Sequence, residues 1–528
     1  MSIFFCVNCS QNDASCASVI DRTLPFCQSW VDPDDENNIW HLTRASCEEE
    51  RRQCLSAMEA AGYVLGVDIG TTSVKVCVFN PQNNEIVAQI GKETQSNVPS
   101  DQGIDGNKQD VPKIISALNT CVAKLQKNLL QKITKIGICG QMHGVMFWNQ
   151  ARAWERVEKD NNLVRYDVVQ GEVSALYTWQ DSRCDPAFLA TLPVPRSHLR
   201  VYTGFGVATI FWMAKNKPEK LKRYNCSGTI QDFAVAMLCN LPKPVMSDQI
   251  AASWGYFDCV NHRWNKEVLE ETGFPTSLLP EIKLSGEVAG FLADNWHSIP
   301  KGTPIGIGLG DLQCSVLSTI ETSKDAVLNI STSAQIAFVA EDYKPNTGPP
   351  SVNTVEYVPY FKNKYLAVAA SLNGGNSLAT FVKMLQQWTM TLGFSVPQSK
   401  VWEKVISLGM EESSVSDLKI SPTCLGERHA PTVMASVTNI NIGNLDLGKV
   451  FKALCNGLVV NLHSMMPRDV LQNANITRIV GNGSGLSRNK VLQNEVLNLY
   501  QLPLVFTTGG DAAKGAAMAM DLQSTNLN

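Results

Sequence analysis

Two stretches of the chain, VLGVDIGTTSVKVCVF (64–79) and AVLNISTSAQIAFVA (326–340), each set a hydroxyl-rich turn between two apolar runs. Strand-like pattern on both sides of a turn makes a strand–turn–strand unit. In the first case EIVAQI and a helical pattern follow; in the second, YLAVAASLNGGN and the helical SLATFVKMLQQW follow. Matched element order in two parts of one chain predicts an internal duplication. It also excludes a Rossmann or Walker arrangement, because the first glycine turn leads into a strand and not a helix. A plain hairpin turn needs only Gly or Asn. It has no need of Asp68 on the incoming strand or of the hydroxyls that follow.

The pattern after the first unit extends it. From Asp110 to Leu130, apolar residues Val111, Ile114, Ile115, Leu118, Val122, Leu125 and Leu129 recur at helical spacing. ITKIGICG then reads as a buried strand ending in QMHG, which completes a βββαβ order. Near the far end, ITRIVGNGSGLSRN and LPLVFTTGGDAAKGAAMAM each read as strand, glycine turn and helix start, with Ser487 as a helix N-cap. The expected class is α/β, divided near residues 300–310 into two sheet-and-helix domains, 63–305 and 306–528. Small ligands bind by preference in the cleft between two such domains.

The chain's 528 residues exceed one ordinary core, so two domains also follow from length. A net charge of −4 gives no basic footprint for nucleic acid. No apolar run approaches the roughly 20 residues of a membrane span, and the start MSIFFCVNCSQNDAS lacks the charged and apolar regions of a signal peptide. The expected location is therefore the cytoplasm, with no membrane or nucleic-acid partner. Of 16 cysteines, Cys6, Cys9, Cys16, Cys27, Cys47 and Cys54 precede Gly62, and no second Cys or His pair completes a zinc site with Cys6-x-x-Cys9. The others sit singly in apolar segments as small buried hydrophobes. Residues 1–62 show no clear period and are expected to form a poorly ordered extension.

Eight blocks occur in order over about 460 residues: DIGTTSVK, GQMHGVMFW, TWQDSR, GLGDLQ, LNISTS, LNGGNSL, GNGSGLSRN and DAAKGAAMA. Each is weak alone. The ordered set resembles the FGGY carbohydrate kinases, which implies the two-domain actin/hexokinase (ribonuclease H-like) fold. QMHG is similar to the ketose-specific, xylulokinase-type branch, and TGFGVATIFW, MSDQIAASWGYF and LGERH resemble the sedoheptulokinase branch more closely than any other. Residues 1–62 lie outside the resemblance. It implies an ATP- and Mg²⁺-dependent transfer of phosphate to the terminal hydroxyl of a ketose, sedoheptulose before xylulose, by a monomer or homodimer.

Phosphoryl transfer asks mainly for positioning and charge neutralisation. By resemblance, Gly70, Thr71, Thr72 and Ser73 form a first phosphate loop and Ser331, Thr332 and Ser333 a second. The bland alternative is that these hydroxyls only satisfy turn backbone. Asp68, an acid costly to bury unpaired, would hold Mg²⁺, which favours one or two carboxylates plus phosphate oxygens. Lys75 fits a phosphate contact and an exposed strand face equally well. Asp311 is the expected catalytic base, facing the attacking sugar hydroxyl. Many relatives carry Asn or Gln directly after this acid, whereas this chain has Leu312 and then Gln313, which is expected to supply that sugar contact. Gln141, Met142, His143 and Asp181 complete the expected sugar site, Trp179 adds wall, and Arg183 pairs with a carboxylate. Gly374, Gly375, Gly483, Ser484, Gly485 and Asn489 are expected around the nucleotide. Gly426, Glu427 and Arg428 fit either a supporting ion pair or a cleft wall. A sugar- or nucleotide-binding switch without catalysis is the competing class, disfavoured by the full set of acids and hydroxyl turns.

Overall fold

The duplicated pattern becomes two sheets with the same wiring. The computed structural model describes residues 62–522 apart from 151, 160–162, 347, 349, 351–352, 413–416 and 508. It also describes an antiparallel ribbon of Ser29–Asp32 with Asp35–His41. The rest of the expectation for residues 1–62 lies outside the described residues.

In the first half, β1 (Tyr63–Ile69), β2 (Ser73–Asn80) and β3 (Glu85–Glu93) form an antiparallel meander. Helix α1 (Val111–Ala123) then returns the chain so that β4 (Ile133–Gly140) pairs parallel to β1. After helix α2 (Asp248–Trp254), β5 (Val288–Phe291), β6 (Pro304–Gly306) and β7 (Leu309–Gly310) complete a seven-stranded sheet of order β5-β6-β4-β1-β2-β3, with β7 also on β4. Strands β1 and β4 are apolar almost throughout because both faces are covered. Edge strand β3 alternates partly buried and exposed residues instead.

Helix α3 (Asp311–Thr319) leads into the second sheet. Here β8 (Asp325–Ile330), β9 (Ala334–Ala340), β10 (Glu356–Pro359) and β11 (Tyr365–Ser371) precede helices α4 (Gly375–Thr391) and α5 (Leu447–Met465). Strand β12 (Arg478–Asn482), helix α6 (Lys490–Tyr500) and strand β13 (Leu504–Phe506) follow. The order is β10-β11-β9-β8-β12-β13, with β8, β9 and β11 antiparallel and β8, β12 and β13 parallel. Strands β8, β9, β11 and β12 thus repeat β1, β2, β3 and β4.

The final helix α7 (Ala512–Ala519) crosses back and packs on β1 and β4. Its small residues allow near backbone contact, since a Cβ on Gly66 of β1 would lie 1.9 Å from the carbonyl oxygen of Ala513. Core residues Cys314 and Val316 of α3 and Ala516 of α7 belong to one apolar cluster with Val327, Ala337 and Val368 of the second sheet. A second cluster, around Phe451, Leu458 and Val496, lies wholly within the later half.

Two local expectations are corrected. The helix proposed for 110–130 ends at Ala123, and a separate turn Lys127–Leu130 follows an extended Gln126. The N-cap of α6 is Asn489, whose Oδ1 accepts from the Leu492 N–H at 3.2 Å; Ser487 ends a preceding short helix. No helix among the described residues is long and apolar enough to cross a membrane.

Candidate active site

A cleft of about 590 Å³ opens where the two strand–turn–strand units face one another. Gly70, Thr71, Thr72 and Ser73 line it on one side and Ser331, Thr332 and Ser333 on the other. The first turn is closed by Gly70 N–H to the Ser73 carbonyl at 3.0 Å, the second by Ser331 N–H to the Ser333 carbonyl at 3.0 Å. Both turns are thus closed by a backbone bond, but the first spans three residues and the second two, so the second turn is tighter. Part of the bland alternative also holds, because the Thr71 hydroxyl accepts from the Trp179 indole N–H at 3.0 Å. Ser331 Oγ and Ser333 Oγ likewise bond to Asn329 and Gln335.

The same cleft receives the acids. Asp68 near the end of β1 and Asp311 at the start of α3 both line it. Burial, then the charge of Asp311, pushes the Asp68 carboxyl up to about 7, with Asp511 adding to the rise. Burial pushes Asp311 up to about 6, against a hydrogen bond from the Leu312 N–H at 2.8 Å. Two half-buried acids lining one cleft could contribute to a divalent-cation site, and phosphate oxygens and water would complete the shell of Mg²⁺. No cluster of three or more His, Cys, Asp or Glu in ligating geometry occurs among the described residues. Asp511 caps α7 through Lys514 N–H and accepts a bond from Gln89. Lys75 pairs in register with Asp68 across the hairpin, but its side chain is exposed and does not line the cleft.

Met142, His143, Trp179 and Gln313, the residues expected around the sugar, line the cleft. His143 holds a left-handed backbone (φ +69), a conformation rare outside glycine and Asn. Its Nδ1 lies 2.8 Å from the Ser253 carbonyl, and its ring stacks on Phe205 at 4.5 Å. Burial and the charge of Arg428 lower its pKa to about 3. The ring is therefore neutral, Nδ1 carries the proton toward Ser253, and Nε2 remains an acceptor. Gln313 is buried, with Oε1 unpartnered.

Other expected contacts stand one step back. Gln141 is buried and does not line the cleft; its Nε2 donates to Gln109 Oε1 at 2.9 Å and its Oε1 has no partner. Gln109 in turn donates to the Thr71 carbonyl at 2.7 Å, linking Gln141 to the first turn. Asp181 is buried and held by Arg183 at 2.6 and 2.9 Å and by the Asn107 N–H at 2.9 Å. Its carboxylate is thus taken up inside the protein, and Arg183 pairs as expected.

Gly374 and Gly375 lie against the second turn, where a Cβ on Gly375 would stand 2.1 Å from the Ser331 carbonyl oxygen. Gly483, at φ +85, and Gly485 press on the same turn, a Cβ on Gly483 meeting the Ile330 carbonyl oxygen at 2.5 Å. These glycines and Ser484, which is exposed, do not line the cleft. Asn489 is buried as a helix cap and faces Cys455, a correction to its expected place beside the nucleotide.

The Gly426–Arg428 segment splits between both readings. Glu427 is buried and accepts from Ser371, the Leu372 N–H, Asn373 and Asn461. Arg428 lines the cleft. Glu356, Arg200 and Phe205 line it too, and pattern reading singled out none of them. A lone acid in EYVP gives no local signal, whereas Asp511 and Phe205 lay inside quoted motifs.

The family model for the N-terminal domain of the FGGY family of carbohydrate kinases matches residues 63–157 and 164–318. A sedoheptulokinase of Mus musculus is 48% identical over 473 residues, covering 88% of this chain and 98% of the relative. One of Homo sapiens is 47% identical over 472 residues with the same coverage. The fold is shared with a xylulose kinase from Rhodospirillum rubrum (TM-score 0.70, 16% identity, 88% of this chain and 91% of that chain). It is shared as well with Plasmodium falciparum glycerol kinase solved with ADP (TM-score 0.69, 16% identity, 88% and 90%). With two facing sheets, a cleft between their turns and relatives alike over nearly their whole length, the chain belongs to the FGGY family of carbohydrate kinases.

Proposed function

We propose that this carbohydrate kinase transfers the γ-phosphoryl group of ATP to the terminal hydroxyl of sedoheptulose, giving sedoheptulose 7-phosphate and ADP in the cytoplasm, where the product would feed pentose phosphate interconversion. The observation that carries the reading is Asp311, a half-buried acid facing a cleft bordered by two hydroxyl turns. The choice of sugar rests on the 48% and 47% identical relatives.

In this reading the Asp311 carboxylate accepts the proton of the attacking hydroxyl as the new O–P bond forms and the bond to the ADP oxygen breaks. The N–H groups and hydroxyls of 70–73 and 331–333 hold phosphate oxygens from opposite walls. Asp68, with Asp311 and Asp511 near it, would hold Mg²⁺, which when bound neutralises charge on the phosphates. Neutral His143 offers Nε2 to a sugar hydroxyl, and the free Oε1 of Gln313 offers a second acceptor. Gln141 and Asp181 act through the elements they hold, Gln141 by way of Gln109 and the first turn. Gly374, Gly375, Gly483 and Gly485 let the backbone of the nucleotide side close on the second turn.

An ADP-release assay across sedoheptulose, xylulose, ribulose, fructose and glycerol tests this. The highest kcat/KM is expected with sedoheptulose. A strong preference for xylulose overturns the choice of sugar, and no ADP with any of them overturns the kinase reading.

A further inference from the structure

The acceptor wall continues past His143 into charged groups that phosphoryl transfer does not use. Phe205 stacks on His143, and the Arg428 guanidinium lies over the Phe205 ring, 5.9 Å from its centroid. Glu356 lines the same part of the cleft. It stands at the start of edge strand β10, next to Tyr357, whose carbonyl accepts from or faces His198 Nε2 at 2.7 Å. That bond ties the edge of the second sheet to the 197–205 loop of the first half.

Glu356 and Arg428 are half-buried, and each feels the other's charge. Yet neither has an ion pair within 4 Å among the described residues, apart from which Tyr202 hydrogen-bonds toward Glu356. Glu427 beside them is fully engaged, so the segment is anchored while Arg428 keeps unused donors. Charged groups held inside a cleft with free hydrogen-bonding capacity call for hydroxyl partners. An aromatic face between them suits the C–H surface of a sugar.

We propose that Glu356 and Arg428 form the specificity-determining pair for the far end of the acceptor, reading the hydroxyls most distant from the one phosphorylated. Neighbour contacts lead from Gly310, beside Asp311, through Met142 to His143, on to Phe205, and from Phe205 to Arg428, with Glu356 on the same cleft wall. Met142 adjoins Asp311, since its Sδ would lie 2.8 Å from a Cβ on Gly310. In this proposal a long ketose bound at Asp311 would reach the pair and a five-carbon ketose would fall short of it. The inference rests on the ketose kinase reading above and extends it to the basis of chain-length choice.

The test compares wild type, Glu356→Gln and Arg428→Leu in steady-state kinetics with sedoheptulose, xylulose and ATP. Glu356→Gln keeps the side chain's shape, so it reports even if Arg428→Leu folds poorly. Loss of a hydrogen bond to a substrate hydroxyl is expected to lower kcat/KM for sedoheptulose by about 10- to 100-fold. The loss should appear mainly in KM, with the sedoheptulose-to-xylulose ratio falling by a similar factor and the KM for ATP held within about twofold. Equal losses on both sugars, or an unchanged ratio, overturns the proposal. If the wild type prefers xylulose, the sugar reading fails instead, and the pair is judged by the ratio between the longest and shortest ketoses accepted.

Discussion

The carboxyl of Asp68 feels Asp311 more strongly than it feels Lys75, its own register partner across the hairpin. One acid ends a strand of the first sheet and the other begins the helix that leads to the second. Both chain halves therefore converge on a single electrostatic unit. Lys75 lowers the Asp68 pKa, but by less than Asp311 raises it.

The burial of Asp311 sets the pH dependence. A base must be unprotonated to act, so kcat/KM for the sugar is expected to rise with pH through an acidic limb near 6, the value to which Asp311 is pushed. Lowering free Mg²⁺ should move the limb upward, because Asp68 then keeps its proton to about 7. Asp311→Asn should lower kcat by about 10²- to 10⁴-fold while ATP still binds. Rate profiles at saturating and limiting Mg²⁺, with nucleotide binding by calorimetry, check both outcomes. Wild-type turnover in Asp311→Asn would remove this residue as the base.

The raised pKa of Asp68 also predicts a stability effect. A carboxyl at 3.8 in the unfolded chain and about 7 in the folded one binds its proton more tightly when folded. Its contribution is favourable at low pH and is lost as pH rises from about 4 through about 7. Asp68→Asn removes the charge but keeps the shape. Without Mg²⁺ the variant should gain over wild type by up to about 3 kcal/mol more at pH 8 than at pH 5, on the scale of 1.36 kcal/mol per pKa unit. Urea unfolding at the two pH values measures it, and saturating Mg²⁺ should reverse the advantage.

The strand–turn–strand units, the duplication and the two cleft acids were legible in the sequence because each is local. Apolar runs around a hydroxyl turn mark the strands, and an acid at the end of a buried strand is conspicuous. Glu356 and Arg428 were not legible as a pair, since register and the return of distant loops decide their proximity. The burial of Asp181 was not legible for a related reason: its partner Arg183 stands two residues away, and sequence does not say whether the pair faces inward. Asn489 was open to a better reading, because an Asn directly before KVLQNEVLNLY has the look of a helix cap. The return of α7 onto β1 left only a hint, the small residues of DAAKGAAMA that let it approach Gly66 so closely.

The second turn has little room behind it. A Cβ on Gly375 would stand 2.1 Å from the Ser331 carbonyl oxygen, a backbone atom that moves only if the turn moves. Gly375→Ala should therefore displace Ser331–Ser333 and raise the KM for ATP at least about tenfold. The KM for the sugar should change much less, because the acceptor wall lies on other elements. Steady-state kinetics with each substrate varied separates the two, and an unchanged ATP KM would show that this turn does not hold nucleotide.

The Asp181–Arg183 pair separates a supporting role from a contact with sugar. Both side chains are almost wholly buried, at 0% and 1% exposure, and are joined by two hydrogen bonds. Arg183 also lies over the rings of Tyr177 and Trp212, 4.5 and 5.1 Å from their centroids. Arg183→Met keeps much of that packing but leaves the Asp181 charge uncompensated, which costs about 3–5 kcal/mol for a buried pair broken on one side. Asp181→Asn with Arg183→Met removes both charges and should recover a large part of that loss. If Asp181 acts only through the structure, the double variant assayed well below its melting temperature should keep its sugar KM within a few-fold. A sugar KM that stays high while stability returns would place the Asp181 carboxylate on the substrate after all, reached by a rearrangement when the sugar binds.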